Sequence, residues 1–162
     1  MAEKNAGMVV INDCGNLFDI HPNDKETVGQ RLALLALKHD YGFCDIKADS
    51  PTLKEWKIEG DKFVLSFNDA ERWYLYRPDF STNSGFEIAG ADGRFVPATI
   101  VNLKLKENDR SKSNGAIDGK TLFIRAEGIV EPKKLRYLHS YPWHGALHNE
   151  VDLPLGAFHI GE

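Results

Sequence analysis

The sequence of 162 residues is poor in cysteine, has no long hydrophobic run and carries no excess of basic residues. Its two cysteines, Cys14 and Cys44, are too few for a disulfide framework and match no metal motif, so we expect unpaired thiols. The longest apolar run, Leu32 to Leu37, is far shorter than the roughly 20 residues that span a bilayer. No apolar segment of a signal peptide follows Met1. These features predict a soluble chain with no export signal and no membrane partner.

The charge balance argues against nucleic acid as a partner. The 20 lysine and arginine residues are outnumbered by 24 aspartate and glutamate residues, which gives a formal net charge of -4. Binding to a phosphate backbone needs a surplus of basic side chains on one face. We therefore predict no nucleic-acid partner.

The chain changes character near residue 45. Residues 8–11 form a short run rich in valine and isoleucine, which is typical of a buried parallel strand. A turn-rich stretch and an apolar helix follow, with Asn23 as the candidate N-cap and Gly42 at the candidate left-handed C-cap. Residues 1–45 thus predict a strand, a loop and a helix.

The apolar face of this helix is too broad for a single neighbour. Its members are Val28, Leu32, Ala33, Leu34, Leu35, Ala36 and Leu37. Such a face needs partners on more than one side, and one strand cannot cover it. We infer a fragment of a larger sheet-and-helix domain, most of which lies outside this chain. An exposed apolar helix would also allow the chain to form a homodimer.

Residues 46–162 alternate with a period of two. Strands are expected at residues 53–58, 63–67, 72–76, 85–89, 99–105, 121–126 and 134–139. Turn signals recur at 59–61, 91–93, 113–115 and 118–119. Seven or so short strands at this spacing predict a mainly antiparallel β-sandwich.

Asp19 and His21 stand in the loop between the predicted strand and helix. A histidine there lies at the carboxyl edge of the sheet, where open α/β folds assemble their sites. A neighbouring carboxylate can fix the tautomer of the histidine and stabilise the imidazolium that forms when it takes a proton from a serine. A loop histidine can equally cap a helix or bind a backbone carbonyl, and the spacing does not decide between these roles.

Three stretches carry a family resemblance: "GMVVINDCGNLFDIHPNDKETVGQRLALLALKHDYG" (7–42), "GFEIAGADGRFVPA" (85–98) and "RYLHSYPWHGALHNEVDLPLGAF" (136–158). They resemble the closing strand, catalytic-histidine loop, last helix and β-rich tail of the sialate O-acetylesterase family of SGNH (GDSL-like) hydrolases. The resemblance covers about residues 7–160. It implies a mixed α/β and β fold, in which residues 1–45 are the end of an SGNH hydrolase domain and residues 46–162 form a C-terminal β-sandwich accessory domain.

By this resemblance His21 is the general base, which takes the proton of a serine and returns it to the departing sugar hydroxyl. The usual superfamily pattern has an aspartate three residues before the histidine, where this sequence has Phe18. The carboxylate that orients His21 is therefore open between Asp19 and Asp13, and Asp19 is preferred. The structural alternative for Asp19 is a helix cap.

The sequence offers no nucleophile in a suitable setting. None of its serines lies in a strand-turn-helix context with flanking glycines; the seven are Ser50, Ser66, Ser81, Ser84, Ser111, Ser113 and Ser140. The family's serine and oxyanion segments precede the matched region. We therefore predict the C-terminal part of an O-acetylesterase, inactive alone and without cofactor, whose partners are the missing N-terminal part and acetylated sialic acid or another acetylated glycan. The chain does not reveal its location, but the family implies a periplasmic, secreted or lysosomal parent.

Two other groups of residues have simple explanations. His144 and His148 have the spacing of helical metal ligands, but Pro142 and Gly145 predict a loop around them, so no metal is predicted. Five aromatic residues could stack on sugar rings, although alternation sends some of them into the core: Trp73, Tyr74, Tyr76, Tyr141 and Trp143. The alternative function is a carbohydrate-binding or structural β-sandwich module without catalysis.

Overall fold

The computed structural model of the chain describes residues 6–15, 19, 21, 23–76, 84–105, 115–139 and 147–161. These residues form one helix, α1 (Lys25–His39), and mostly antiparallel β-structure. The strands are β1 (Thr52–Glu59), β2 (Lys62–Asn68), β3 (Arg72–Leu75), β4 (Phe86–Ala89), β5 (Phe95–Pro97), β6 (Thr99–Ile100), β7 (Lys104–Leu105), β8 (Gly115–Asp118), β9 (Thr121–Arg125), β10 (Lys134–Tyr137), β11 (Leu147–Asn149) and β12 (Phe158–Ile160). The expected mixture of a helical segment and antiparallel sheets is confirmed.

The strands form three four-stranded sheets, with the orders β1-β2-β9-β6, β12-β10-β4-β5 and β11-β3-β8-β7. Alternate residues of β2, β3, β9 and β10 contribute to a shared hydrophobic core. In β3, Trp73 and Leu75 are fully buried, whereas Tyr74 and Tyr76 on the opposite face are only half-buried. The predicted division of these aromatic residues between core and surface is therefore confirmed.

The predicted turns at 59–61 and 91–93 join antiparallel neighbours, β1 to β2 and β4 to β5. The predicted strand at 99–105 was wrong, because Val101 and Asn102 form a turn between β6 and β7. The side chain of Asn102 accepts from the backbone N–H of Phe123 at 3.1 Å and donates to the carbonyl of Thr121 at 2.9 Å. This side chain holds the bend against β9.

Four short strands escaped prediction: β5, β8, β11 and β12. Each has three or four residues, too few for a reliable alternation pattern. β8 even begins with a glycine, a residue that usually marks a turn. Gly115 is required there by close packing, because an added Cβ would lie 2.9 Å from Cδ1 of Leu103 and 3.0 Å from the carbonyl of Lys104.

The helix α1 begins one residue later than expected. The N-cap is Asp24 and not Asn23, because the Asp24 side chain accepts from the backbone N–H of Thr27 at 2.9 Å and from its hydroxyl at 2.6 Å. The negative charge of Asp24 also suits the positive end of the helix dipole. Beyond the end of the helix, Gly42 has a positive φ of 78°, as predicted for a left-handed C-terminal residue.

The predicted strand at residues 8–11 does not form, and this expectation was wrong. The segment runs beside α1, and the side chain of Met8 is 82% exposed. A parallel strand needs a neighbouring strand for its hydrogen bonds, and none of the β-strands in the described residues pairs with this segment. The apolar face of α1 is partly open to solvent, because Leu35 is buried whereas the side chain of Leu32 is 50% exposed.

Candidate active site

Asp19 and His21 contact each other, as the sequence suggested for a catalytic pair. One carboxylate oxygen of Asp19, Oδ1, lies 3.0 Å from Nδ1 of the His21 ring and accepts the backbone N–H of His21 at 2.9 Å. Both side chains are open to solvent, with exposed fractions of 50% for Asp19 and 74% for His21. The local sequence explains this geometry, because an aspartate readily binds the backbone two residues further on.

This arrangement leaves the other ring nitrogen of His21 available. With Nδ1 protonated and donating to Asp19, Nε2 carries a lone pair and has no hydrogen-bond partner among the described residues. The two hydrogen bonds from His21, first the backbone one, hold the pKa of Asp19 below its usual value, so the carboxylate stays ionised. The pair can therefore accept a proton at Nε2 and stabilise the resulting imidazolium.

Asp13, the other candidate for orienting His21, is engaged elsewhere. Its two carboxylate oxygens accept from Nη1 and Nη2 of Arg31 at 2.7 and 2.6 Å, in a bidentate pair. Oδ2 also lies 3.1 Å from Nε2 of His148. Burial works against ionisation of Asp13, but the hydrogen bonds from Arg31 and His148 outweigh it and hold its pKa well below the usual range. Among the two candidates, Asp19 is the one that touches His21.

Asp13, Arg31 and His148 form a buried polar cluster between α1 and β11. The side chains of Arg31 and His148 are each only 6% exposed. Arg31 also donates to the carbonyl of Val10 at 2.9 Å, which fixes the segment before the turn. A buried arginine needs such complete pairing, because an unpaired charge in the interior is strongly destabilising.

The turn after β11 holds several parts of the chain together. The buried side chain of Asn149 donates to the carbonyl of Asp69 at 2.8 Å and accepts from the backbone N–H groups of Val151 and Leu153. Glu150 accepts from the backbone N–H groups of Glu71 and Arg72. Both side chains bond to the backbone of residues 69–72, which connect β2 and β3. These hydrogen bonds give a physical role to residues 149–154, which have the pattern Asn-Glu-x-x-Leu-Pro.

Three of the seven serines lie within the described residues, and none of them bonds to His21. Ser84 is buried and donates to the carbonyl of Ala98 at 3.0 Å. Ser66 is 3.5 Å from the carbonyl of Glu55, and Ser50 is half-buried just before β1. The remaining four fall outside the described residues: Ser81, Ser111, Ser113 and Ser140.

The described part of the chain holds no group of three or more metal-ligating side chains. His148 lies in a strand and not in a helix, so the helical spacing with His144 has no structural meaning. His144, Tyr141 and Trp143 lie outside the described residues, so the choice between packing and sugar stacking for the last two stays untested. No helix among the described residues is long and apolar enough to cross a membrane.

Sequence reasoning missed Arg31 and His148. One signal for Arg31 was present: it stands three residues after Val28 and four before Leu35, on the same stripe of the helix. A charged residue on a buried stripe must find a partner. The partnership with His148 could not be found this way, because 135 residues separate it from Asp13.

The comparisons with known proteins bear on the class of protein and do not test the site residues. No family model matches the chain, and no curated protein matches it. Among solved structures, a carbohydrate acetylesterase from Xanthomonas citri matches with a TM-score of 0.72 and 33% sequence identity. This chain is similar to part of a carbohydrate acetylesterase. The match covers 91% of this chain but 30% of that enzyme, so the chain spans less than a third of the length of its structural relative.

Proposed function

We propose that this chain is the C-terminal part of a carbohydrate O-acetylesterase that cleaves O-acetyl esters on sialic acid or a related sugar. The observation that carries the proposal is the Asp19–His21 pair, whose free Nε2 is arranged as in a general base. The similarity to an acetylesterase along 91% of the chain supports it. The catalytic serine belongs to the missing N-terminal part of the enzyme.

In this mechanism His21 moves one proton in each half of the reaction. Nε2 takes the proton of the serine hydroxyl as the serine oxygen attacks the acetyl carbonyl, and Asp19 stabilises the imidazolium. His21 then gives the proton to the oxygen of the departing sugar, which leaves an acetyl-serine. A water molecule, deprotonated by the same nitrogen, releases acetate and restores the serine.

The missing N-terminal part would also cover the open apolar surface of residues 1–45. This surface contains Met8 and Leu32. With Leu35, Ala36 and the polar side chains of His39, Asp40 and Asp49, they line an open groove of about 520 Å³. The proposed division is thus a hydrolase segment in residues 1–45 and an accessory β-sandwich in residues 46–162. In the isolated chain, the same surface would instead favour self-association, which a mass measurement at high concentration can detect.

The first experiment compares hydrolysis of p-nitrophenyl acetate by the chain and by His21→Ala. Equal, slow rates are expected, because the chain lacks its serine. The second adds the separately expressed part of the Xanthomonas acetylesterase that lies outside the matched segment. Turnover should rise with the native chain and not with His21→Ala, whereas a rise with both variants would refute the role of His21. A matched control is His159→Ala, which removes an exposed histidine of β12.

A further inference from the structure

The two parts of the chain meet through the buried cluster of Asp13, Arg31 and His148. Asp13 belongs to the segment before the His21 loop, Arg31 to α1 after it, and His148 to the sandwich. A second bond joins the same turn to the sandwich, since the Asn12 side chain donates to the carbonyl of Leu155 at 2.9 Å. The cluster therefore connects both sides of the loop to the accessory domain.

Both ends of the loop are fixed by these contacts. The loop begins at Asp13, which is clamped by both guanidinium nitrogens of Arg31. It ends at Asp24, which caps the helix that carries Arg31. Between these points, Asp19 and His21 are exposed, and among the described residues their side chains bond to each other. The two ends of the loop are thus held by contacts that lie outside Asp19 and His21 themselves.

The tautomer of His148 follows from its surroundings. Nε2 faces an ionised carboxylate, so it carries the proton and donates it to Asp13. Nδ1 is buried and has no hydrogen-bond partner among the described residues, while the Tyr76 ring packs edge-on against the imidazole with centroids 4.8 Å apart. The contact with Asp13 is therefore the hydrogen bond by which the His148 side chain joins the sandwich to the loop segment.

We propose that Arg31 and His148 are positioning residues for the general base. Acting through Asp13, they hold the loop of Asp19 and His21 in one orientation on the sandwich, so that the accessory domain takes part in placing Nε2. This inference rests on the proposed function. It differs from the view of the sandwich as a detachable module, because a residue of β11 then controls the catalytic loop.

The test uses nuclear magnetic resonance on the isolated chain, which requires no esterase activity. His148→Gln keeps an N–H donor for Asp13, whereas His148→Phe keeps a ring of similar shape without a donor. We expect the amide and ring signals of Asp19 and His21 to shift in His148→Phe and to return toward the native positions in His148→Gln. His159→Phe, on the exposed side of β12, is the matched control and should leave them unchanged.

Unchanged loop signals in a folded His148→Phe protein would overturn the proposal, since the cluster would then be structural only. If that variant does not fold, Arg31→Lys provides the same comparison: it keeps the charge but loses the bidentate geometry. In the reconstituted esterase, His148→Phe should lower kcat by roughly 10- to 100-fold with little change in KM. If the reconstituted enzyme is inactive while the loop signals still shift, the proposed function fails and the positioning does not.

Discussion

Replacing Arg31 by methionine tests the energetic role of the buried cluster. The change removes the bidentate pair with Asp13 and the bond to the carbonyl of Val10, and it leaves the carboxylate with His148 and the Cys14 thiol as its remaining partners. Breaking a buried ion pair from one side costs about 3–5 kcal/mol. Because the Asp13 side chain is 18% exposed and keeps these two partners, we expect the lower end, about 3 kcal/mol.

The assay is urea unfolding followed by the far-ultraviolet signal of α1. The matched control is Arg125→Met, which removes an ion pair to Asp61 whose side chains are 58% and 37% exposed, and which should cost at most about 1 kcal/mol. Adding Asp13→Asn to Arg31→Met should recover part of the loss, because no unpaired carboxylate then remains. Equal costs for Arg31→Met and Arg125→Met would refute the reasoning.

The pH dependence of the same variant has a definite sign. The pKa of Asp13 is lower in the folded chain than its ordinary value of 3.8, so its stabilising effect is complete above about pH 4 and is lost as the pH falls below it. In Arg31→Met the pKa of Asp13 should rise toward or above the ordinary value. The native chain should therefore lose more stability between pH 4 and pH 2 than the variant does.

Three further outcomes are expected. The pKa of Glu150 is lowered to about 2, because its hydrogen bonds, first the one from Lys47, outweigh its burial. Glu150 should therefore stabilise the fold above about pH 4.5 and lose this effect as the pH falls toward 2. Glu150→Gln should flatten that part of the curve of stability against pH. Iodoacetamide at pH 8 should alkylate exposed Cys44 and spare Cys14, because burial raises the pKa of the Cys14 thiol to about 11. Mass spectrometry after peptide digestion distinguishes the two cysteines, and equal labelling would contradict the described packing. Trp73→Ala should cost about 3–5 kcal/mol in urea unfolding, as the side chain is fully buried. Trp73→Phe should cost clearly less, since it also removes an indole N–H that has no partner in the described part of the chain, and equal costs would argue against that explanation.

Local patterns predicted the parts of the fold that local physics determines. Alternation identified the core side of β3, because Trp73 and Leu75 point to one face of a strand regardless of what lies beyond it. Glycine identified the turn at Gly60, which has a positive φ of 61°. The predicted strand at residues 8–11 was wrong for the opposite reason. A parallel strand depends on a neighbouring strand, and the described chain supplies none for this segment.

The candidate site likewise combines a contact between near neighbours in the sequence with contacts between distant residues. The Asp19–His21 contact spans two residues, so the sequence suffices to suggest it. The choice between Asp19 and Asp13 required the partners of Asp13, one of which is far away in the chain. Only the folded structure shows that this second carboxylate belongs to Arg31 and His148.

The large sequence separation of the contacts made by Asp13 and Asn12 affects the order in which the nascent chain can form them. The partners of Asp13 and Asn12 follow 135 and 143 residues later in the chain. At ribosomal rates of about 5–20 residues per second, the loop segment is synthesised roughly 7–27 s before His148. The helix α1 and the ion pair between Arg31 and Asp13 can form within that interval, whereas the bonds to His148 and Leu155 must wait. The nascent chain thus passes through a stage at which the loop segment is complete before the strand that anchors it exists.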